Sequence, residues 1–556
     1  MNFFKSTILS LVFCLPLTLS AQEKTIKKIS VTPSNELQTP KLIVGLVIDQ
    51  MRWDYLFRYA NRYGNGGFKR LLSQGFSCNN TQIDYIPTVT AAGHTGIYTG
   101  SVPSLTGITG NDWINQTTGN PVYCTADSSV KTVGSSSAAG QMSPRNLWST
   151  TITDELKLAT NFRSKVIGIA LKDRGAILPA GHSANAAYWF DDATGNWITS
   201  TYYMNQLPNW VNDFNNQKSA YKYIRQDWQT LYDISTYIQS EADDNTHEGI
   251  FKGEQSPVFP HLATKDLGYG ALRTSPWGNT LTLDFAKKAI LGENLGSSAI
   301  TDFLAVSLSS TDYIGHQFGP NSVEIEDTYL RLDKELANFL TFLDTQMGKN
   351  NYTLFLTADH GAAHNPAFLT DHKIPAGLFA GSAILKELNT KLKKEFAIDN
   401  LILSLNNYQV NFNNIALEAS TIDRENLKKF CINYLQKQDG VSYAIDMEKI
   451  SEASIPNSLK QKIINGYNHE RSGEIQIILK PAYFQGYGKT GTTHGTWNPY
   501  DTHIPLIFMG WGIKQGSTFN PTKMSDIAPT LAALLHIQAP NANIGEPIEE
   551  AFKIQK

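Results

Sequence analysis

The fold is decided by Lys41-Leu42-Ile43-Val44-Gly45-Leu46-Val47-Ile48-Asp49. From Leu42 to Ile48 the run is apolar throughout, rich in β-branched residues, and shows no alternation of polar and apolar positions. A strand with one wet face alternates; one covered on both faces does not, which is the texture of a parallel sheet between helices. The same texture recurs at Val166–Leu171, Phe303–Leu308, Tyr352–Thr357 and Ile504–Met509. Helical periodicity lies between these runs, most clearly over Val323–Met347, and a closing amphipathic helix over Asp526–Leu535 has Ser525 as its expected N-cap. Strand and helix in alternation give an α/β fold with a mainly parallel central sheet.

Upstream of the first strand, Lys5 precedes an apolar run from Ile8 to Leu19 and the small residues Ser20-Ala21. This is the pattern of an export signal over 1–21, followed by a polar leader over 22–37. The apolar run is shorter than the ~18 residues of a membrane span, and no later run approaches that length. Phe13 ahead of Cys14 disfavours a lipoprotein. The expectation is an exported protein without a membrane span, periplasmic or secreted. The chain has 556 residues, 41% of them hydrophobic, 17% charged, with a formal net charge of -3. That balance, with no Lys/Arg block, argues against a nucleic-acid-binding patch. Loss of Cys14 leaves Cys78, Cys124 and Cys431, which make no disulfide framework; Cys78 and Cys124 could pair in an oxidising compartment, but buried free thiols are the plainer reading.

Chemistry-bearing residues come directly after the strands. The first run ends on Asp49; the second leads to Lys172-Asp173-Arg174; the third to Asp312-Tyr313-Ile314-Gly315-His316; the fourth to Asp359-His360-Gly361. Sites in open α/β sheets gather at the carboxyl edge of the strands, so these groups converge. His494, in Gly491-Thr492-Thr493-His494-Gly495, is a further candidate ligand beside His503. Mixed Asp and His ligands suit zinc rather than magnesium or calcium. Six such residues suffice for two zinc ions with three protein ligands each. In Tyr85-Ile86-Pro87-Thr88-Val89-Thr90-Ala91-Ala92-Gly93-His94 a loop enters a helix, and a Thr there places backbone N–H groups toward an anion; spacing alone leaves Thr88 and Thr90 both open. Lys172 and Arg174, two apart in a segment read as extended, face one side as phosphate-gripping cations, and Asn111 offers another hydrogen bond.

On these motifs the chain resembles the alkaline phosphatase superfamily, and within it the phosphate-irrepressible (PafA-type) alkaline phosphatases. The match runs from Val47-Ile48-Asp49-Gln50-Met51-Arg52-Trp53-Asp54 through Ser309, Thr311-Asp312 and Thr357-Ala358-Asp359-His360-Gly361 to Thr493-His494. The resemblance implies an α/β/α sandwich with inserted cap regions. It implies one zinc on Asp312, His316 and His494, another on Asp49, Asp359 and His360, and Thr90 as the residue phosphorylated in mid-reaction. Asn111, Lys172 and Arg174 take the phosphate-binding positions. The implied activity is hydrolysis of small phosphate monoesters with broad specificity, through a phosphothreonine, releasing inorganic phosphate. Sulfatases of the superfamily need a Cys or Ser in a C/S-x-P-x-R frame, which is absent. Nucleotide pyrophosphatases share the Thr and the ligands but lack the Lys-x-Arg pair. The expected organisation is therefore core over 38–180, 301–366 and 475–556, an insertion over 181–300 and a cap subdomain over 367–474.

Ordinary readings stand beside these. An Asp closing a strand is commonly a turn or N-cap residue, and Asp359-His360-Gly361 is a common turn composition. His94 and His503 read as supporting or packing residues, Ser309 and Ser310 as turn residues, and His364 and His372 as neighbours of the site entrance. Two other functions remain open: a phosphodiesterase on the same fold, and a binding protein that kept the scaffold without catalysis.

Overall fold

The computed structural model describes residues 38–262, 267–486 and 488–553; the expected signal peptide over 1–21 and the expected leader over 22–37 lie outside them. Ten strands form the central sheet: β1 Leu42–Ile48, β2 Phe76–Cys78, β3 Thr132–Val133, β4 Val166–Ala170, β5 Ala186–Asp191, β6 Asn196–Ser200, β7 Asp302–Leu308, β8 Tyr352–Thr357, β9 Leu506–Gly510 and β10 Gly516–Thr518. Their order across the sheet is β10-β2-β9-β8-β1-β7-β4-β5-β6-β3. The five central strands, β8-β1-β7-β4-β5, pair in parallel. Every residue of β1, β4, β7 and β8 is buried, as runs without alternation require. The α/β fold with a mainly parallel central sheet, expected from the strand texture, is the architecture observed.

Register aligns the ends of the central strands. Ile48 pairs with Leu308, Val47 with Thr357 and Ala170 with Ser307. The segments leaving these strands therefore emerge at one edge of the sheet. Three helices start there: α1 Thr90–Thr99, α2 Asp173–Ala180 and α3 Ser310–Phe318. The long α4, Val323–Met347, packs Tyr329, Leu332, Leu336 and Leu340 into the main core.

Three expectations change. The run over Ile504–Met509 does not join the sheet in parallel: β9 pairs antiparallel with β8, Thr357 opposite Leu506. The stretch from Gly181 begins as sheet rather than as insertion, since β5 and β6 extend the central layer. Ser525 does not cap the closing helix. A short 3-10 turn over Met524–Asp526 precedes helix Ile527–Leu535, and the Asp526 carboxylate accepts Lys523 N at 2.7 Å and Glu546 N at 3.0 Å. An ionised carboxylate accepts from two amides at once, which a serine hydroxyl does less well.

The region expected as a cap has its own antiparallel sheet, with Ile402–Ser404, Gln409–Phe412, Ile475–Leu479 and Val441–Asp446 in that order. Helices Gly381–Phe396 and Arg424–Leu435 cover it around a separate core that includes Leu388, Val410, Leu427, Cys431 and Ile477. Because Ile475–Leu479 is one of its strands, the unit runs past residue 474. It reaches the site loop through Asn407, whose Nδ2 donates to Asp112 O at 3.0 Å. Cys78, Cys124 and Cys431 are buried and unpaired.

Candidate active site

The sheet edge gathers Asp49, Asp312, Asp359, His360 and Lys172, each at most 3% exposed. Asp49 comes directly after β1, and its backbone carbonyl accepts Thr311 Oγ1 at 2.6 Å, tying the β1 end to the start of α3. Asp312 lies in the first turn of α3 and His316 in the last, four residues on, so both project from one helix face; His316 Nε2 is 3.2 Å from Asp312 Oδ1. His494 arrives on the loop before β9, its Nε2 3.6 Å from Asp312 Oδ1. An antiparallel strand starts where its parallel neighbours end, so β9 delivers this loop to the same edge.

All three ligand-type histidines are oriented alike. Nδ1 of His316 is 2.9 Å from Thr492 O, that of His360 is 3.0 Å from Gly361 O, and that of His494 is 2.7 Å from Thr88 O. A carbonyl only accepts, so Nδ1 carries the hydrogen and each Nε2 lone pair faces the carboxylates. His360 and His494 stack at 3.5 Å between ring centroids. Burial drives His494 well below the ordinary histidine range, helped by His360 and His316, and burial lowers His360 as well. Both are held as neutral imidazoles.

One ligand atom each from Asp49, Asp359 and His360 lies within 4.8 Å of the others, and the same holds for Asp312, His360 and His494. The geometry thus puts His360 in both groups, whereas the family resemblance assigned it to one and placed His316 with Asp312 and His494. Asp49 Oδ1, Asp359 Oδ2 and His360 Nε2 are buried with no hydrogen-bond partner. Orphaned lone pairs that converge in a dry site are what a divalent metal satisfies. Electrostatics agree: burial pushes the Asp49 carboxyl well above its usual range, and the charge of Asp359 adds to it. A third acidic group in the cap, Glu425, Asp446 and Glu448, is an ion-pair network instead, with Lys428 Nζ 2.6 Å from Glu448 and 3.3 Å from Asp446.

Thr90 is the first residue of α1, after extended Val89, and is 1% exposed. Lys172 Nζ lies 3.4 Å from Thr90 Oγ1 and 2.6 Å from both Asp49 Oδ2 and Asp312 Oδ2. Burial alone lowers a lysine, but Asp312 and Asp49 hold Lys172 above its usual range, so it is an ammonium. Thr88, by contrast, is occupied: its Oγ1 donates to Thr496 O at 2.9 Å and accepts Gly495 N at 3.2 Å. Asn111 Oδ1 accepts Ala91 N at 2.9 Å, which fixes the side-chain amide at the start of α1. Arg174 is not on an extended segment; it sits in the first turn of α2, because Lys172 is that helix's extended N-cap. Its guanidinium donates to the Tyr123 hydroxyl at 3.1 Å, and its Nε has no partner. A half-buried guanidinium held by a neutral phenol is available to an anion.

His503 points elsewhere, stacked 4.5 Å from Trp53 with Nε2 3.0 Å from Asn79 O. His94 supports the site: Nδ1 donates to Thr90 O at 2.9 Å, with Asp359 Oδ2 3.2 Å away, and Nε2 is 2.8 Å from Ser307 Oγ. Two contributors escaped sequence reasoning. Gln50 donates from Nε2 to Asp312 Oδ1 at 2.7 Å and from its backbone N to Asp359 Oδ1 at 3.1 Å, at a positive φ of 64°. Tyr123 donates to Asp173 Oδ1 at 2.7 Å while accepting from Arg174. Only adjacency to Asp49 could have flagged Gln50; nothing local flags Tyr123.

Gly93 sets the distance between α1 and the Asp359 turn. A Cβ there would lie 2.6 Å from Asp359 Cβ, with the Asp359 carbonyl nearer still. Backbone is in the way, so Gly93→Ala must separate Thr90 from Asp359. The expected outcome is a loss of about 1–3 kcal/mol in denaturant unfolding together with a fall in kcat; unchanged stability and turnover would refute this close-packing role.

The model of the Type I phosphodiesterase / nucleotide pyrophosphatase family matches residues 43–501. Alkaline phosphatase PafA of Elizabethkingia meningoseptica is 54% identical over 523 residues, 93% of this chain and 96% of that one. Alkaline phosphatase PhoV of Synechococcus elongatus is 54% identical over 550 residues, 98% of each chain. A Myroides odoratus protein named calcium-transporting ATPase is 56% identical over 557 residues, 99% of this chain and 100% of that one; among the described residues here, no helix is long and apolar enough to cross a membrane. The crystal structure of wild-type PafA superposes with a TM-score of 0.92 at 53% identity, covering 93% of this chain and 100% of that one. A solved PafA variant carries substitutions at a Thr, an Asn, a Lys and an Arg, the Lys two residues before the Arg as in Lys172-Asp173-Arg174. The chain belongs to the Type I phosphodiesterase / nucleotide pyrophosphatase family and, within it, to the PafA-type alkaline phosphatases.

Proposed function

We propose that this phosphatase is an exported, zinc-dependent enzyme that hydrolyses small phosphate monoesters with broad specificity, with Thr90 as nucleophile. The observation that carries the reading is Lys172 Nζ, seated among Asp49, Asp312 and the Thr90 hydroxyl. Asp49, Asp312, His316, Asp359, His360 and His494 would hold two zinc ions. The chemistry zinc supplies when bound there is Lewis-acid polarisation of phosphoryl oxygens and acidification of a coordinated hydroxyl. Thr90 Oγ1 attacks phosphorus in line with the leaving alkoxide, forming a Thr90 phosphoester as the substrate P–O bond breaks. The ammonium of Lys172, 3.4 Å away, favours the deprotonated form of that oxygen. The Arg174 fork and the Asn111 NH₂ group take the non-bridging oxygens. Water then cleaves the phosphothreonine and releases inorganic phosphate and free Thr90.

A monoester dianion carries one more charged oxygen than a diester, so the cation pair favours monoesters. Loss of one charged hydrogen bond in a desolvated site removes ~1.5–3 kcal/mol, about tenfold to a hundredfold in rate. Arg174→Ala should lower monoester kcat/KM by that order and change diester hydrolysis little; Lys172→Ala, which also removes the cation beside Thr90 Oγ1, should lower both, the monoester more. Equal losses on both substrates, with metal content reduced, would mean that the pair maintains the carboxylate cluster rather than selects the substrate. A diesterase reading is favoured only by the description of the family model; the ratio of monoester to diester kcat/KM on zinc-loaded protein decides between them.

A further inference from the structure

Arg174 follows Asp173 in the first turn of α2 and does not pair with it. Among the described residues its guanidinium makes one hydrogen bond, from Nη1 to the Tyr123 hydroxyl at 3.1 Å, and Nε is left without a partner. Asp173 is occupied elsewhere: Oδ1 accepts the Tyr123 hydroxyl at 2.7 Å and Oδ2 accepts Thr125 Oγ1. A phenol has a single hydrogen to give. Given to Asp173, it leaves only oxygen lone pairs toward Arg174, so the carboxylate next to Arg174 in sequence sets the direction of the Arg174 contact.

Tyr123 thus interposes a neutral oxygen between an adjacent acid and base. Burial, with the charge of Asp173, holds its hydroxyl well above the ordinary tyrosine range, so it is a phenol and not a phenolate. A carboxylate in its place would take the guanidinium as a two-bond fork and neutralise it. A phenol orients it by one bond and leaves its charge and its other donors free. The phenol is itself held by backbone. Tyr123 ends the strand Pro121–Tyr123, opposite Asp112 of the strand Asp112–Ile114. Cys124 N donates to Asn111 O at 2.9 Å, and Asn146 Nδ2 donates to Tyr123 O at 3.3 Å and to Cys124 O at 3.1 Å. The segments of one hairpin therefore fix both Asn111 and the group that aims Arg174.

We propose that Tyr123 is a positioning residue that holds Arg174 for the phosphate of a monoester and thereby sets monoester preference, with Asp173 and Thr125 orienting its hydroxyl. This role rests on Arg174 being a phosphate-binding cation. Without the hydroxyl, Asp173 Oδ1 loses its donor and the guanidinium loses its acceptor. An acid and a base left unpartnered side by side pair with each other, which spends on Asp173 the charge that substrate needs. A diester has one charged oxygen fewer and draws less on that cation, so the loss falls mainly on monoesters.

The test compares monoester and diester kcat/KM on zinc-loaded full-length protein for the wild type, Tyr123→Phe, Arg174→Ala and the double variant. Tyr123→Phe removes one oxygen and should lower monoester kcat/KM about tenfold, with diester hydrolysis, zinc content and Tm little changed. In the Arg174→Ala background the same substitution should cost nothing further, because the group it aims is gone. A purely structural role would instead lower both substrates alike and persist in that background. Equal loss on both substrates, an undiminished loss in the double variant, or no loss at all overturns the proposal. If Arg174→Ala itself shows no monoester-selective loss, the phosphate-binding reading of Arg174 fails and the role of Tyr123 with it. A selective loss in Arg174→Ala beside an unchanged Tyr123→Phe sinks the role of Tyr123 alone.

Discussion

Thr90→Ala is expected to remove about a thousandfold or more of the monoesterase kcat, as loss of a nucleophile does when the remaining site is intact. The side chain is buried at the first position of α1 and makes its one close polar contact with Lys172. Its loss should leave fold and metal content nearly unchanged, measured by near-UV circular dichroism and elemental analysis. Acid-quenched turnover of labelled substrate should place the phosphoryl group on Thr90. Thr88 is the internal control, since its hydroxyl is committed to Thr496 O and Gly495 N. Label on Thr88, or full activity in Thr90→Ala, would falsify the nucleophile assignment. Thr90→Ser keeps the hydroxyl and should retain partial activity.

His360→Ala is expected to reduce both metal content and activity to background, a larger loss than His316→Ala. It belongs to both convergent ligand groups, whereas His316 belongs to neither and reaches the cluster through Asp312 and the ring of His494. If catalysis needs two ions about 3.5–4 Å apart, a residue standing between both positions has the widest effect. Elemental analysis after zinc loading should find near two zinc per chain in the wild type, near none in His360→Ala and an intermediate value in His316→Ala. Equal zinc in the two variants would restore the assignment of His360 to one ion alone. Full activity of the wild type with magnesium and no zinc would sink the bimetallic reading altogether.

The central strands are legible in the sequence because burial on both faces leaves a direct mark on composition. Leu42–Ile48 and Asp302–Leu308 have no solvent face to encode. The groups just past them, Asp49, Lys172, Asp312 and Asp359, are legible for a related reason: parallel strands all end at one edge, so sequence order alone brings those residues together. Arg174 reads as extended because Lys172-Asp173-Arg174 is short, and only packing of α2 against the sheet makes it a helix start. Ser525 reads as a cap because cap identity depends on Glu546, twenty residues beyond Asp526, whose amide needs the Asp526 carboxylate.

By itself, the sequence determined which residue types line the sheet edge and that the sheet is α/β and mainly parallel; the choice of His494 and Thr90 rested on likeness to relatives. What decided those positions physically was tertiary. His494 is oriented by the carbonyl of Thr88, 406 residues earlier in the chain, and it reaches the edge because β9 runs antiparallel to β8. The same loop occupies the Thr88 hydroxyl through Gly495 N and Thr496 O, leaving Thr90 to face Lys172. Strand composition reports burial, which is a local property of each residue. Strand direction, and which hydroxyl or imidazole is left without a partner, depend on contacts between segments hundreds of residues apart, and no local pattern encodes them.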